Sequence, residues 1–364
     1  MKRTKTPPPR PDAPLLEFDG LHITLPVKGE HRTVIHRVDL TVPAGSAVGL
    51  VGESGSGKSL TARSVLRLLP PGARVGGEVR FEGVSVTAMD PAALRTLRSR
   101  EVAMIFQDPR AHINPLRTIG DFLTEGLITT RGERRGAAEA RATDLLREVG
   151  IADAPRRLRQ RPAELSGGLL QRVMIAAALI TEPRLLLADE PTTALDVTTQ
   201  AEVMAVIDEA RDRRGLAMLF ITHDLALAAA VCDSIAVMYA GSVVEQVPAS
   251  RLHDGSRHPY TRALLASRPD PGAGAQPLRA IGGRPLSAFE AGPGCAFAPR
   301  CPAAQDLCTA QRPLPEPTGD GAEDGHGASP GDGHGHGHGR TAACHFPRPV
   351  TDGAPGTDRR VRRG

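Results

Sequence analysis

The stretch Gly52-Glu53-Ser54-Gly55-Ser56-Gly57-Lys58-Ser59 decides the fold of this chain. It has the G-x-x-x-x-G-K-[ST] pattern of a phosphate-binding loop, in which glycines leave backbone N–H groups free to surround phosphate oxygens. The apolar residues 47–51 predict a buried strand before the loop, and residues 58–69 predict a helix whose N-terminus faces the phosphates. Lys58 would reach the β- and γ-phosphates, and the Ser59 hydroxyl would ligate Mg²⁺. The stretch therefore predicts a protein that binds a nucleoside triphosphate.

Length, charge and composition narrow the class of protein. The 364 residues suffice for one large domain with an appendage, or for two domains. The net charge of +4 is mild, tryptophan is absent and no basic segment carries interleaved aromatics, so nucleic acid is not the expected partner. Residues 1–14 lack the apolar segment of a signal peptide, and the longest apolar runs, such as residues 173–180, are shorter than the ~20 residues that span a bilayer. These features predict a cytoplasmic protein.

The order of apolar and polar segments predicts an α/β fold. Residues 1–13 are rich in proline and predict a disordered leader. Strands alternate with helical stretches from residue 15 to about residue 246, which favours a largely parallel sheet, and residues 120–161 predict a helical insert. After the loop, the strand candidates are residues 102–106, 185–188, 217–221 and 235–239.

Acidic side chains follow one of these strands. Asp189 and Glu190 come directly after the apolar residues 185–188. Ligands of α/β sheets gather at the carboxyl ends of strands, so both carboxylates would face the nucleotide. Asp189 is then the expected Mg²⁺ ligand and Glu190 the general base for the attacking water. The alternative is an acidic pair that caps a helix.

Two further polar residues end predicted strands. His223 could donate a hydrogen bond to the γ-phosphate or position the water, and the amide of Gln107 could contact Mg²⁺ and water. Taken singly, each has an ordinary alternative, a structural histidine and a loop residue. Polar groups at three strand ends beside a phosphate loop nevertheless predict one shared site.

The tetrapeptide Leu165-Ser166-Gly167-Gly168 predicts a second anion site. It precedes a helical stretch at residues 169–180, so a hydroxyl and free N–H groups stand at a helix N-terminus. A simple N-cap followed by a glycine turn is the alternative.

The order of these motifs resembles that of the ATP-binding-cassette (ABC) ATPases. The resemblance covers roughly residues 15–265 and includes Ala194-Leu195-Asp196. The resemblance implies a P-loop nucleotide-binding domain with a helical subdomain. It also implies a head-to-tail dimer, in which Ser166, Gly167 and Gly168 of one subunit close on the ATP bound by the other. Asp196 would lie at the dimer interface, Glu190 would be the base and His223 would sense the γ-phosphate. The implied Mg²⁺ ligands are Ser59, Gln107 and Asp189.

Finer features resemble the ATPases of oligopeptide, dipeptide and nickel importers. They include Phe106-Gln107-Asp108-Pro109, His258-Pro259-Tyr260-Thr261 and the cysteine-containing tail. The resemblance implies two integral-membrane permeases, a second related ATPase subunit, an external solute-binding protein, and a place on the cytoplasmic face of the membrane. The pairing could be a heterodimer or a homodimer. The alternatives are a nickel or metal-chelate importer, a soluble ABC ATPase that acts on DNA or ribosomes, and a redox-sensitive regulator.

The resemblance also divides the chain into segments. An ABC ATPase domain is expected at 14–268, with its helical insert at about 108–180. A small irregular extension is expected at 269–350, followed by a basic tail at 351–364. The chain departs from the family at residues 23–25, where an aromatic ring usually stacks on adenine; His31 or His36 could substitute for it. A second departure is Leu169-Leu170, where the family usually has a more polar pair.

Cysteines in the tail predict a metal centre. Cys232 lies in an apolar stretch and reads as a buried hydrophobe. Four thiolates suit an Fe–S cluster or a structural zinc, with free thiols as the remaining alternative. The sequence has no C-x₂-C pair, which argues against a zinc finger. The resemblance to peptide importers favours a [4Fe–4S] cluster. The four candidate ligands are Cys295, Cys301, Cys308 and Cys344.

The Gly-His tract at residues 333–339 falls between Cys308 and Cys344. It reads as a flexible insertion or as a loose Ni²⁺ or Zn²⁺ site.

Overall fold

The structure is a computed structural model that describes residues 14–193, 196–267, 280–318 and 340–347. The predicted leader at 1–13, the Gly-His tract at 333–339 and the basic tail at 351–364 lie outside the described residues, as do Ala194 and Leu195.

A mixed sheet of 12 strands forms the centre of the described chain, in the order β5-β4-β1-β2-β10-β9-β3-β8-β7-β6, with β12 beside β10 and β11 beside β12. The strands are β1 Leu16–Val27, β2 Glu30–Val42, β3 Ala47–Val51, β4 Arg74–Phe81, β5 Val84–Ser85, β6 Val102–Ile105, β7 Leu185–Asp189, β8 Ala217–Thr222, β9 Ser234–Tyr239, β10 Ser242–Pro248, β11 Glu316–Pro317 and β12 Thr341–Ala342.

The prediction of a parallel sheet holds for the central strands. β6, β7, β8, β3 and β9 are parallel neighbours, so their carboxyl ends meet at one edge. β1, β2, β4 and β5 are antiparallel. The reason is local: Val27 pairs with Glu30 across Lys28 and Gly29, which both have positive φ, and such a short turn reverses the chain where a parallel pair would need a long crossover.

The helices cover the sheet and form the layer that carries the second anion motif. The first helix, α1, ends at Val65 and not at the predicted residue 69, because Arg67 takes a left-handed φ of 51°. α3 to α6 occupy the region where the helical insert is expected. The helices are α1 Lys58–Val65, α2 Pro91–Thr96, α3 Ile119–Arg131, α4 Arg135–Glu148, α5 Ala154–Arg159, α6 Gly167–Leu179, α7 Val197–Arg214, α8 Leu225–Val231, α9 Leu252–Gly255, α10 Pro259–Ala266 and α11 Asp306–Ala310.

The hydrophobic core lies on both faces of the central sheet. Along β8, Met218 and Phe220 belong to one buried cluster, whereas Leu219 and Ile221 belong to another. Strands buried on both faces read as continuous apolar runs, which is why the sequence pattern identifies them. In the part of the chain that the structure describes, no helix is both long and apolar enough to cross a bilayer.

Candidate functional site

The phosphate loop is the turn between β3 and α1. Gly57 has a φ of 106°, and a Cβ atom there would lie 2.4 Å from Cδ1 of Ile35. At Gly52, a Cβ atom would lie 2.1 Å from the carbonyl oxygen of Met238. Only glycine fits at these two positions, because the loop is pressed against β2 and β9. The sequence pattern is thus explained by the packing of the loop.

Lys58 lies folded against this loop. Its Nζ donates to the carbonyl oxygens of Gly52, at 2.7 Å, and Glu53, at 2.9 Å. Burial lowers the pKa of Lys58, and the nearby carboxylates of Glu190, Asp189 and Glu53 oppose that shift. The ammonium is therefore held within the loop, where a triphosphate could recruit it.

Two of the three predicted Mg²⁺ ligands are in contact. The Ser59 hydroxyl donates to Oδ1 of Asp189 at 2.7 Å. Asp189 is fully buried, and its Oδ2 has no hydrogen-bond partner among the described residues, although Nη2 of Arg63 lies 3.8 Å away. Burial raises the pKa of Asp189, while the Ser59 hydrogen bond lowers it. A hydroxyl beside a carboxylate with a free oxygen fits the oxygen ligands that Mg²⁺ prefers.

Glu190 gathers the other predicted residues. Nε2 of Gln107 donates to its Oε2 at 2.8 Å, and Nδ1 of His223 lies 3.4 Å from its Oε1. Gln107 thus contacts the predicted base, and its Mg²⁺ role stays a prediction. The backbone of Glu190 has a φ of 47°, and its N–H donates to Ile221 of the neighbouring strand. Three strand ends therefore meet at one carboxylate.

Sequence reasoning missed Thr193 in this cluster. Its hydroxyl donates to Oε2 of Glu190 at 2.8 Å, the same oxygen that receives Gln107. A hydroxyl three residues after the predicted catalytic carboxylate was the available signal. Thr193 and Gln107 together fix the orientation of the carboxylate.

Ser166 caps α6, and its hydroxyl accepts the N–H of Leu169 at 3.4 Å. Ser166 and Gly167 are exposed at the helix N-terminus. A Cβ atom at Gly168 would lie 2.8 Å from Cγ2 of Thr199. Asp196 caps α7 and accepts from the N–H and the hydroxyl of the same Thr199, at 3.0 and 2.7 Å. Thr199 thus connects the second anion motif with the predicted interface aspartate.

Neither histidine proposed to replace the adenine-stacking ring is free of contacts. Nε2 of His36 lies 2.8 Å from the carbonyl oxygen of Ala288, and burial lowers the pKa of this half-buried side chain. The exposed His31 has its Nε2 3.2 Å from the carbonyl oxygen of Gly72. His31, with its exposed ring, stays the better candidate of the two.

The four tail cysteines line one cavity, together with Phe297 and His258. The N–H of Cys295 donates to the carbonyl oxygen of Cys308 at 2.7 Å. Burial raises the pKa of Cys295, and that of Cys344 to about 11, so both are protonated thiols at neutral pH. Within the described ranges, however, no group of three or more His, Cys, Asp or Glu side chains is arranged to hold a metal ion. The expected four-cysteine metal centre is therefore not supported by the geometry.

Cys232 is buried, as the sequence predicts, and burial raises its pKa to about 12.

Comparison with known proteins identifies the family. Residues 35–193 match the ABC transporter family, and residues 244–308 match the family described as oligopeptide/dipeptide transporter, C-terminal region. The oligopeptide transport ATP-binding protein OppD of Salmonella typhimurium is 38% identical over 314 residues, which cover 86% of this chain and 94% of OppD. The chain belongs to the ABC transporter ATP-binding proteins of the oligopeptide/dipeptide type. The resemblance seen in the order of the motifs is confirmed.

Two further similarities support the assignment as an ABC ATPase. A protein of Sinorhizobium fredii, named as a probable peptide ABC transporter ATP-binding protein, is 46% identical over 280 residues, which cover 76% of this chain and 84% of that protein. Among solved structures, the ATP-binding cassette MJ0796, described as a dimer in a post-hydrolysis state bound to ADP and Pi, matches with a TM-score of 0.58 and 28% identity. That match covers 64% of this chain and 98% of MJ0796. The chain is therefore an ATP-hydrolysing cassette subunit.

Proposed function

We propose that this ABC ATPase powers the uptake of di- or oligopeptides through partner permeases. The observation that carries the proposal is that one chain contains both the carboxylate site at Glu190 and the oligopeptide/dipeptide transporter region at residues 244–308. The carboxylate site would carry out hydrolysis, and residues 244–308 match a region described for oligopeptide/dipeptide transporters. A nickel or metal-chelate cargo is the alternative for the substrate.

The geometry supports a hydrolytic step at Glu190. ATP phosphates would lie on the loop at residues 52–59, and Mg²⁺, bound through Ser59, Asp189 and Gln107, would neutralise phosphate charge. The Glu190 carboxylate accepts a proton from water, whose oxygen attacks the γ-phosphorus, and the bond to ADP breaks. Gln107 and Thr193 hold the carboxylate in position, and His223, whose Nδ1 lies 3.4 Å from Oε1 of Glu190, would donate to the γ-phosphate.

We further propose that the active form is a dimer. The helix N-terminus at Ser166 is exposed, and such a helix end attracts phosphate, as a site for another subunit's ATP requires. Asp196, which shares Thr199 with it, would lie in the same interface. The partner would be a second, related ATPase subunit, with a homodimer as the alternative.

Light scattering of the Glu190→Gln protein tests the dimer. In the presence of ATP we expect this chain, alone or mixed with a related cassette subunit, to double in mass, and Ser166→Arg should prevent the change. The proposal is contradicted if the protein stays monomeric with ATP both alone and when mixed with the related subunit.

Two integral-membrane permeases would bind this subunit at the cytoplasmic face of the membrane, and the external solute-binding protein would act only through them.

Uptake in cells that lack the gene tests the substrate. Restoring the wild-type chain should restore the uptake of a labelled dipeptide, and restoring Lys58→Ala should not. Restored nickel uptake without peptide uptake would favour the metal importer. Recovery of the chain with ribosomes or DNA, and without a permease, would favour the soluble class of ABC ATPase.

We also propose that the four cysteines hold a [4Fe–4S] cluster, with zinc as the alternative. The support is the chemistry of the donor set and the shared cavity, which Cys295, Cys301, Cys308 and Cys344 all line. Because these side chains are not arranged around a metal ion in this structure, the proposal requires the thiolates to turn toward one another when the cluster binds. Because burial raises the pKa of Cys295 and Cys344, metal binding at these two thiols would release protons. Such a cluster would supply a redox-active centre, and zinc would supply only a structural link.

Anaerobic purification followed by iron, sulfide and zinc analysis tests this assignment. Iron and sulfide in equal amounts with visible absorption are expected, and both should disappear in Cys308→Ser but persist in the control Cys232→Ser. A colourless protein with one zinc ion supports the alternative, and a metal-free protein contradicts both.

A further inference from the structure

An aromatic cluster lies behind the phosphate loop. The chain has two tyrosines, and both, Tyr239 and Tyr260, pack with Phe297 in the core. The ring centroids lie 4.6 Å apart for the tyrosine pair, 5.3 Å apart for Tyr260 and Phe297, and 5.4 Å apart for Tyr239 and Phe297. Phe297 also lines the cysteine cavity. A continuous packed path therefore joins the loop to the cysteine segment, residues 295–308.

Arg300 extends from this segment to the loop. Its guanidinium carbon lies 5.8 Å from the ring centre of Tyr239 and 5.9 Å from that of Phe297. Nη1 donates to Oε1 and Oε2 of Glu53, at 3.1 and 3.0 Å, and to the Tyr239 hydroxyl at 3.2 Å. Nε donates to the carbonyl oxygen of Gly282 at 3.0 Å. The guanidinium is thus held on several sides and has one orientation.

The ion pair between Arg300 and Glu53 is largely withdrawn from water. Only 5% of the Arg300 side chain and 24% of the Glu53 side chain are exposed. Charge-assisted hydrogen bonds in such surroundings are stronger than those on the surface, because solvent screens them less.

Glu53 is the second residue of the phosphate loop, and three groups fix it. Its N–H donates to the Tyr260 hydroxyl at 3.2 Å, its carbonyl oxygen accepts from Lys58 at 2.9 Å, and its carboxylate accepts from Arg300. Two of these three partners come from outside the region that matches the ABC transporter family, at residues 35–193. The conformation of the loop is therefore set partly by the C-terminal part of the chain.

We propose that Arg300 is a positioning residue for ATP binding, which holds the phosphate loop through Glu53 and neutralises the negative charge of that side chain beside the phosphates. Without Arg300, the carboxylate would repel the nucleotide, and the loop would have to become ordered as the nucleotide binds. ATP affinity then depends on how the cysteine segment packs. The inference rests on the proposed binding of ATP at this loop, and it requires neither a peptide substrate nor a bound metal.

Four variants of the full-length chain test the positioning role, by titration with a fluorescent ATP analogue and Mg²⁺. Arg300→Met should raise the Kd about tenfold and Arg300→Lys about threefold, because lysine keeps the charge but lacks the planar group that bonds Glu53, Tyr239 and Gly282 at once. Glu53→Gln should raise the Kd about threefold or less. The double variant of Arg300→Met with Glu53→Gln should bind like Glu53→Gln alone, since the unpaired carboxylate is then absent.

The control variant is Arg284→Met. Arg284 lies in the same C-terminal region and forms a two-bond pair with Glu290, at 3.1 and 2.9 Å, so its loss should leave the Kd unchanged. ATPase assays should show a higher KM for Arg300→Met, with kcat at saturating ATP within about twofold of the wild type, because Glu190 is untouched.

Melting temperatures separate positioning from folding. A folded Arg300→Met protein that binds ATP as the wild type does would overturn the inference. The inference would also be overturned if the double variant bound ATP as weakly as Arg300→Met alone. Removing the opposite charge cannot repair a purely structural loss, so such a result would mean that Arg300 acts only on folding or packing. If Arg300→Met does not fold, Arg300→Lys and its combination with Glu53→Gln decide in the same way. A wild-type chain that binds no ATP would overturn the proposed function itself, and this inference with it.

Discussion

Replacing Glu190 by glutamine removes the proposed base while keeping its surroundings. The carboxylate receives Gln107 and Thr193 at Oε2, and His223 lies 3.4 Å from Oε1. A glutamine amide can place its oxygen toward the two donors and its NH₂ toward Nδ1 of His223, which then accepts. The variant should therefore keep its position and lose only the ability to take a proton.

The expected fall in kcat follows from the proposed role of Glu190 as general base. General base catalysis contributes typically about 10²–10⁴-fold, which is roughly 3 to 5 kcal/mol of activation free energy at about 1.4 kcal/mol per tenfold change. We expect kcat of Glu190→Gln to fall at least about 100-fold, with ATP affinity within about twofold of the wild type, because the contacts of the phosphate loop are unchanged.

Phosphate release under saturating ATP measures kcat, and the fluorescent analogue measures the Kd. Glu209→Gln is the matched control, since Glu209 is an exposed glutamate of α7 whose partner is Arg213. It should hydrolyse ATP at the wild-type rate. A Glu190→Gln protein that turns over ATP within about fivefold of the wild type would refute the assignment of the base.

Three further outcomes are expected. Lys58→Ala removes the ammonium that lies within the phosphate loop, so the Kd for ATP should rise at least about tenfold; an unchanged titration contradicts this. Thr193→Val removes one hydrogen bond to Glu190, worth about 1 kcal/mol, and kcat should fall about fivefold with KM unchanged. Burial raises the pKa of Glu245, so its contribution to stability is present below the ordinary pKa and is lost as the pH rises through the raised value. Glu245→Gln keeps an acceptor for the N–H groups of residues 257 and 258, and its melting temperature relative to the wild type should rise as the pH increases above the ordinary carboxyl pKa; a constant difference contradicts the reasoning.

The sequence pattern of the predicted catalytic site is recognisable because it is local. Glycines at 52, 55 and 57, an apolar strand before them and a helix after them all follow from chain geometry over a few residues. Asp189 and Glu190 follow a buried strand, and parallel strands bring such ends to one edge. For the same reason the central strands match the predicted ranges closely, whereas the antiparallel order of the N-terminal strands depends on a two-residue turn that the apolar periodicity does not reveal.

Contacts across long stretches of chain were decided only by the tertiary structure. Arg300 and Glu53 are separated by 247 residues, and no periodicity relates them. The same holds for Cys344, which lines the same cavity as Cys295, Cys301 and Cys308. The sequence by itself determined that this chain binds a nucleotide, along with the catalytic residues expected to hydrolyse it, because backbone periodicity is set by near neighbours. Packing decided which distant side chain holds the phosphate loop, because that contact depends on how every intervening element folds against the sheet.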